Sequence, residues 1–481
     1  MINSNNRNNF LYLFAFLAFS LMHLPSYVNA QTVDDKPKKE IKYRKARSLS
    51  PKVAKKMTKV YEALELVDEQ GELSPDMETV NEILSDLLNQ KDEIKSYDRS
   101  IMWNALAYVY STEEKYLEAI KAYENLLDEP ESTITHRNEA FRSLGRLHVG
   151  LENFQTGIKY ILRYMDEVET VTAQTWALLG RVYYTTGEFR KALSSLEKAV
   201  ILAEEEGYKP KENWYSVMAA SIGELKAEIG EKEAYLRQIA IYEILVNLYP
   251  KKVYFLQLGG IYGQLGREKD YMITLKAAYA KDLLNREGEY QVLAQLLLLN
   301  QNPYWAAQVL VSGQEKIITY NETKIDEATG KEIKVEKTGP VIKSNEKNLK
   351  LIADSWRMAQ EIDKAIPVLA KAAELSKDGK AYVLLGNLYL GEDKINEAID
   401  AIKKGLKKGK IEKISQVHLT LGQAYFELQK FEEAKKEFRI AARDKDKKTK
   451  SMANNWIKYT ENEEIRVKNL ALRRDYIQSQ S

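Results

Sequence analysis

Few residues of this 481-residue chain could do covalent or metal chemistry. No cysteine is present, which removes thiol nucleophiles, disulfides, zinc-thiolate sites and lipid attachment through an N-terminal cysteine. The four histidines are His23, His136, His148 and His418, and no two of them have metal-ligand spacing. His136 and His148 read as packing or surface side chains, and His418 stands where a repeat helix would open with an aromatic. No glycine-rich loop precedes a helix to cradle a phosphate. Acids are spread along solvated faces, so no carboxylate pair stands apart. No catalytic, cofactor or metal residue is therefore assigned, and no enzyme is read. What remains is recognition by arginine and tyrosine, whose guanidinium forks and broad rigid faces are over-represented at binding hot spots.

Which arginines and tyrosines count depends on the elements that carry them. The organising stretch runs from Ala173 to about Glu206. Trp176, Leu179, Gly180 and Tyr183 share one helical face. Thr186-Gly187-Glu188 makes a turn, and Ala192, Leu196 and Ala199 line a second helix. Small residues sit where two helices must approach, and large ones fill the gaps. Such a unit is too small to bury its own apolar face and needs neighbours. With its W-x2-L-G-x2-Y pattern followed by the small and large positions of a second helix, it resembles the tetratricopeptide repeat (TPR).

The same spacing recurs along the chain. Trp103, Leu106, Ala107 and Tyr110 open one repeat, and Phe141, Leu144, Gly145 and His148 the next. Trp214 opens another, whose first helix is expected to extend through Ala227. Phe255-to-Tyr262 and Tyr290-to-Leu297 follow. Leu349-to-Trp356, Tyr382-to-Tyr389 and His418-to-Tyr425 complete the series. Pro367 is placed near the start of a second helix, where a missing N–H is tolerated. The expected fold is all-α, a TPR solenoid coiled into a right-handed superhelix of about nine to ten helix–turn–helix repeats, with one polar insertion.

Composition fits that reading. The chain is 44% hydrophobic and 30% charged, and it is too long for one core. Net charge is +2 with acids and bases mixed, so the strong basic bias of a nucleic-acid binder is missing. Residues 1–30 read as a secretory signal peptide: Arg7 precedes an apolar run from Phe10 to Met22, and Val28-Asn29-Ala30 supplies small residues for cleavage. That run is shorter than the roughly 20 residues of a bilayer span. The expectation is an exported, periplasmic protein with no stable membrane span after cleavage; an uncleaved anchor is the alternative. Residues 31–51 read as a flexible basic leader. Residues 52–98 form a degenerate helical repeat or cap, 99–313 a first block of repeats and 344–445 a second. Between the blocks, 314–343 reads as an inserted hairpin or loop, with β-branched residues either side of Thr329-Gly330. Residues 446–481 read as a capping helix and tail.

In a TPR array the first helices line the concave side. Position in the repeat then selects Asn104, Tyr108, Arg142, Arg146, Arg181, Tyr184, Asn387, Gln423 and Phe426 as the candidate partner-binding groove. The TPR pattern that clamps a partner's C-terminal carboxylate through Lys and Asn is not reproduced, so that activity is not carried over.

The order of several segments is more specific. Gly207-Tyr208-Lys209-Pro210-Lys211-Glu212-Asn213-Trp214, then Leu248-Tyr249-Pro250-Lys251-Lys252, Gln257-Leu258-Gly259-Gly260-Ile261-Tyr262, Lys347-Asn348-Leu349 and Ala365-Ile366-Pro367-Val368-Leu369, resemble the exported TPR proteins found alongside TonB–ExbB–ExbD energy-transduction systems of Gram-negative bacteria. The insertion at 314–343 departs from the usual shorter connection. The resemblance implies a periplasmic accessory with TonB, ExbB or ExbD as protein partners, supporting outer-membrane uptake of nutrients such as iron-siderophore complexes. A TPR scaffold in outer-membrane or cell-wall assembly is the alternative. The sequence leaves a homo-oligomer open.

Overall fold

The computed structural model describes residues 46–325 and 332–480. The signal-peptide reading and most of the leader lie outside those residues. The chain divides into two compact units. One reaches to Gly187 and includes Ile201–Glu206; the other holds Glu188–Val200 and everything from Gly207 onward. Among the described residues no helix is long and apolar enough to cross a membrane.

The first unit is a series of helix hairpins. α1 (Pro51–Leu64) pairs with α2 (Met77–Asn89), α3 (Ser96–Thr112) with α4 (Tyr116–Asp128), and α5 (Ile134–Gly150) with α6 (Phe154–Glu167); α7 (Ala173–Thr185) follows. Side-chain caps open α2, α5 and α7, where Asp76, Thr133 and Thr172 accept backbone N–H groups. Glu114 and Glu152 take the left-handed conformation in the α3–α4 and α5–α6 turns, Gly71 in the longer α1–α2 connection and Gly187 after α7. Met57, Leu84, Leu87, Met102, Leu126 and Leu144 form the dry interior. Chain entry is fixed too. Ser50 donates its N–H and hydroxyl to the buried Asp98 carboxylate, and Arg47 pairs with Glu131.

α8 (Phe189–Glu205) has residues in both units. The second unit continues with α9 (Glu212–Glu224), the short α10 (Lys226–Ile229) and α11 (Glu231–Leu248). Then come α12 (Lys252–Gln264), α13 (Glu268–Ala280), α14 (Glu287–Leu299) and α15 (Pro303–Glu315). The expected extension of a first helix through Ala227 is corrected here. α9 ends at Glu224, and Gly230, at φ 90°, sets the start of α11. The two stretches Gly207–Trp214 and Leu248–Lys252 clip each other. The Lys209 ammonium donates to the Leu248 carbonyl at 2.7 Å and lies 3.8 Å from the Tyr249 ring centroid. Lys251 pairs with Glu212 at 2.7 Å.

The insertion is an antiparallel ribbon, β1 (Ile317–Ile325) with β2 (Glu332–Pro340), registered from Ile317↔Pro340 to Ile325↔Glu332. Its base is closed. Val341 N–H donates to Lys316 O and Ile342 N–H to Gly313 O, both at 2.9 Å. Val341 and Ile342 are buried. Just beyond, the fully buried Asn348 donates to Lys343 O and Glu287 Oε1 and accepts from Gln291.

Repeats then resume as α16 (Glu346–Met358) with α17 (Ile362–Leu375), α18 (Lys380–Gly391) with α19 (Ile395–Lys408), and α20 (Ile414–Glu427) with α21 (Phe431–Ala441). Pro367 falls inside α17 rather than in its first turn, a second correction. α22 (Lys447–Gln480) lies on α21, burying Thr449, Ala453 and Thr460. From 468 to 480 every residue is exposed.

Candidate protein-binding site

Six of the nine groove residues lie in the first unit. α5 buries Ala140, Phe141, Leu144 and Gly145, so Arg142 and Arg146 face outward one turn apart. Residues four apart on a helix keep their Cβ atoms about 5–6 Å apart. Both arginines line a pocket of about 260 Å³, with Ile161 and Tyr164 of α6 and Gln174, Thr175 and Leu178 of α7.

Two glycines make that pocket. A Cβ on Gly145 would stand 2.7 Å from Ile161 Cγ1 and 3.3 Å from Ile161 N; one on Gly157 would stand 2.7 Å from Val149 Cγ2. Bare Cα atoms let α5 and α6 close on each other, which sets Ile161 as part of the pocket wall. On the other side, the Thr172 hydroxyl caps α7 and lies 3.1 Å from the Thr175 hydroxyl.

The charges are uncompensated. Among the described residues no carboxylate lies within ion-pair distance of Arg142, Arg146 or Arg181. Other arginines of the unit are taken. Arg99 forks onto Glu129 at 2.7 and 3.0 Å, and Arg163 pairs with Glu167. Arg137 and Arg163 flank the Phe141 ring at 5.8 and 5.9 Å. Phe141 leans on Tyr160, which stacks on His148 at 5.5 Å. Both His148 ring nitrogens are buried without a hydrogen-bond partner, and burial holds the imidazole below its ordinary range. Burial does the same to His136.

Arg181 is exposed on α7, and Tyr184 beside it is half-buried. On α3, Tyr108 is 55% exposed, and Asn104 is half-buried with an unpartnered Oδ1. In the second unit Asn387 is exposed on α18 and Gln423 half-buried on α20. Phe426 leaves the candidate set. Its ring meets Phe431 at 5.8 Å, Trp456 at 5.5 Å and Tyr459 at 5.3 Å, so it seats α22. Reading first helices alone missed Ile161 and Tyr164, which come from a second helix. Gln174 and Leu178 share α7 with Arg181, seven and three residues before it, so the same register could have found them. His418 bonds Glu437 at 2.6 Å, and the described residues hold no group of three or more metal-ligating side chains.

The tetratricopeptide repeat family matches at residues 101–131, 173–205, 379–407 and 415–442, which are α3–α4, α7–α8, α18–α19 and α20–α21. The chain carries tetratricopeptide repeats. Repeats of this type are protein-interaction scaffolds and typically non-catalytic. Similar solved structures include a tetratricopeptide repeat protein from Parabacteroides merdae, at 14% identity over 60% of this chain and 98% of that one, TM-score 0.24. Another is YrrB, a TPR protein with an unusual peptide-binding site, at 15% identity over 40% of this chain and 90% of that one, TM-score 0.31. A third is the C-terminal part of a TPR protein from Cytophaga hutchinsonii, at 12% identity over 67% of this chain and 95% of that one, TM-score 0.33. No curated protein matches.

Proposed function

We propose that the protein is a periplasmic interaction scaffold serving a TonB–ExbB–ExbD energy-transduction system. The observation that carries the scaffold is the pair of arginines on α5, Arg142 and Arg146, that line a formed pocket with no carboxylate within ion-pair distance among the described residues. Side chains held out by a rigid repeat, with no internal partner, are suited to another chain. The periplasmic and TonB parts rest on the leader composition of residues 1–30 and on the resemblance of the Gly207–Trp214 and Leu248–Lys252 segments. An array of repeats suits an elongated partner such as a proline-rich linker. Mild crosslinking in the native envelope followed by purification is expected to recover TonB or ExbD. Recovery of an envelope-assembly complex in their place would transfer the scaffold to outer-membrane or cell-wall assembly.

A further inference from the structure

We propose that the pocket at Arg142 and Arg146 takes one apolar side chain from an acidic segment of the partner, whose flanking side-chain carboxylates bind the two guanidiniums. This rests on the scaffold reading above and names the chemistry of its ligand.

Three observations lead there. The volume, about 260 Å³, lies below the roughly 300–1,000 Å³ of pockets for drug-sized molecules and cofactors. The lining is divided: Ile161, Leu178 and the Tyr164 ring are largely apolar, whereas Arg142 and Arg146 are charged and exposed. Two like charges one turn apart repel, and among the described residues neither has a carboxylate within ion-pair distance, although Glu139 stands three residues before Arg142 on α5. Incoming carboxylates relieve that repulsion and can be held by guanidinium forks, which match carboxylate geometry bidentately. Arg181 lies on the same helix as Gln174 and Leu178, so a longer acidic run has a third cation available.

The specificity predicted is therefore double: charge at the arginines and an apolar group between them. A segment with only one of the two satisfies half the site. Because the ligand charge comes from side chains, a free C-terminus is not required.

The test uses the purified protein and fluorescein-labelled ten-residue peptides, amidated at the C-terminus, with a central leucine flanked by glutamates. Anisotropy is expected to show binding at least ten-fold tighter than for the same peptide with glutamine for glutamate, or with serine for leucine. Raising salt is expected to weaken it, since partly exposed charges are screened. Arg142→Gln with Arg146→Gln is expected to abolish the preference for glutamate with unchanged circular dichroism. Arg190→Gln, at an exposed pair with Glu228, is expected to leave binding intact. The proposal is overturned by equal binding of the glutamine peptide, by no binding of the glutamate peptide, by an unaffected double variant, or by tighter binding of a single-stranded oligonucleotide. Binding only with a free C-terminus overturns the side-chain assignment. If crosslinking captures the same TonB-system partner with wild type and double variant alike, the scaffold stands and the pocket assignment falls. If wild type captures no envelope complex, the scaffold reading itself falls.

Discussion

Gly379 lies against the backbone of Gly405: a Cβ on Gly379 would stand 2.0 Å from the Gly405 carbonyl oxygen and 2.7 Å from its carbonyl carbon. The Gly379 N–H also donates to Gly409 O at 2.9 Å. The start of α18 thus meets the end of α19 backbone against backbone at this point, and no rotamer change can make room. Gly379→Ala is expected to lower unfolding free energy by at least the ~1–3 kcal/mol typical of overpacking. A denaturation midpoint equal to wild type would refute the contact.

The turns between paired helices store the opposite kind of strain. Gln360 sits at φ 61° and is exposed, whereas Gly187 and Gly266 fill the matching place in other hairpins. The left-handed conformation costs a side-chain-bearing residue roughly 1–2 kcal/mol, and glycine gives back about 0.5–1 kcal/mol in chain entropy. Gln360→Gly is therefore expected to stabilise by about 0.5–1 kcal/mol, read as a raised midpoint in urea. Destabilisation would show that the turn is not strained.

The ribbon can be shortened without harm to the repeats around it. Lys316 O and Val341 N are already hydrogen-bonded, so the chain ends at its base meet whether or not the strands extend. Replacing residues 319–338 by Asn-Gly keeps Ile318, which rests on the core. Stability is expected to change by no more than about 0.5 kcal/mol. Ile342→Ala, by contrast, empties a fully buried site and is expected to cost about 2–5 kcal/mol. Equal losses from both changes would mean that the strands, and not their anchor, support the fold.

Acid is expected to weaken the first unit through its histidines. Burial puts the His148 and His136 imidazoles below 6.5, so the neutral ring is the folded form. The unfolded chain then binds protons first, and stability is lost as pH falls from about 6.5 toward the folded values. His148→Phe keeps a ring against Tyr160 and removes one titrating group. Its stability is expected to fall less than that of wild type between pH 7 and pH 5 in guanidinium titrations. Parallel slopes would exclude His148 as a source of the effect.

Much of this architecture was legible in the sequence because the spacing of Trp176, Leu179, Gly180 and Tyr183 encodes one helical face, and the array repeats it. The same register placed Arg142 and Arg146 outward, and the structure puts them on one pocket. Local spacing could not show that Ile161 of the following helix completes it, because that depends on how closely Gly145 and Gly157 let two helices approach. Phe426 occupies a groove position by register, yet the aromatic surface of α22 claims it. The end of α9 at Glu224, short of the expected Ala227, and the place of Pro367 within α17 differ from the sequence expectation for a similar reason. A helix boundary is settled by what the neighbouring turns bury, which a propensity rule does not see.

The final stretch of α22 has a practical reading. Residues 468–480 are all exposed and bury nothing against the repeats, and lone helices shorter than about 12–15 residues are marginal in water. The terminus is a handle: amides there will exchange with solvent fastest, proteases will trim it first, and an affinity tag or fluorophore fixed to it will leave the repeats undisturbed.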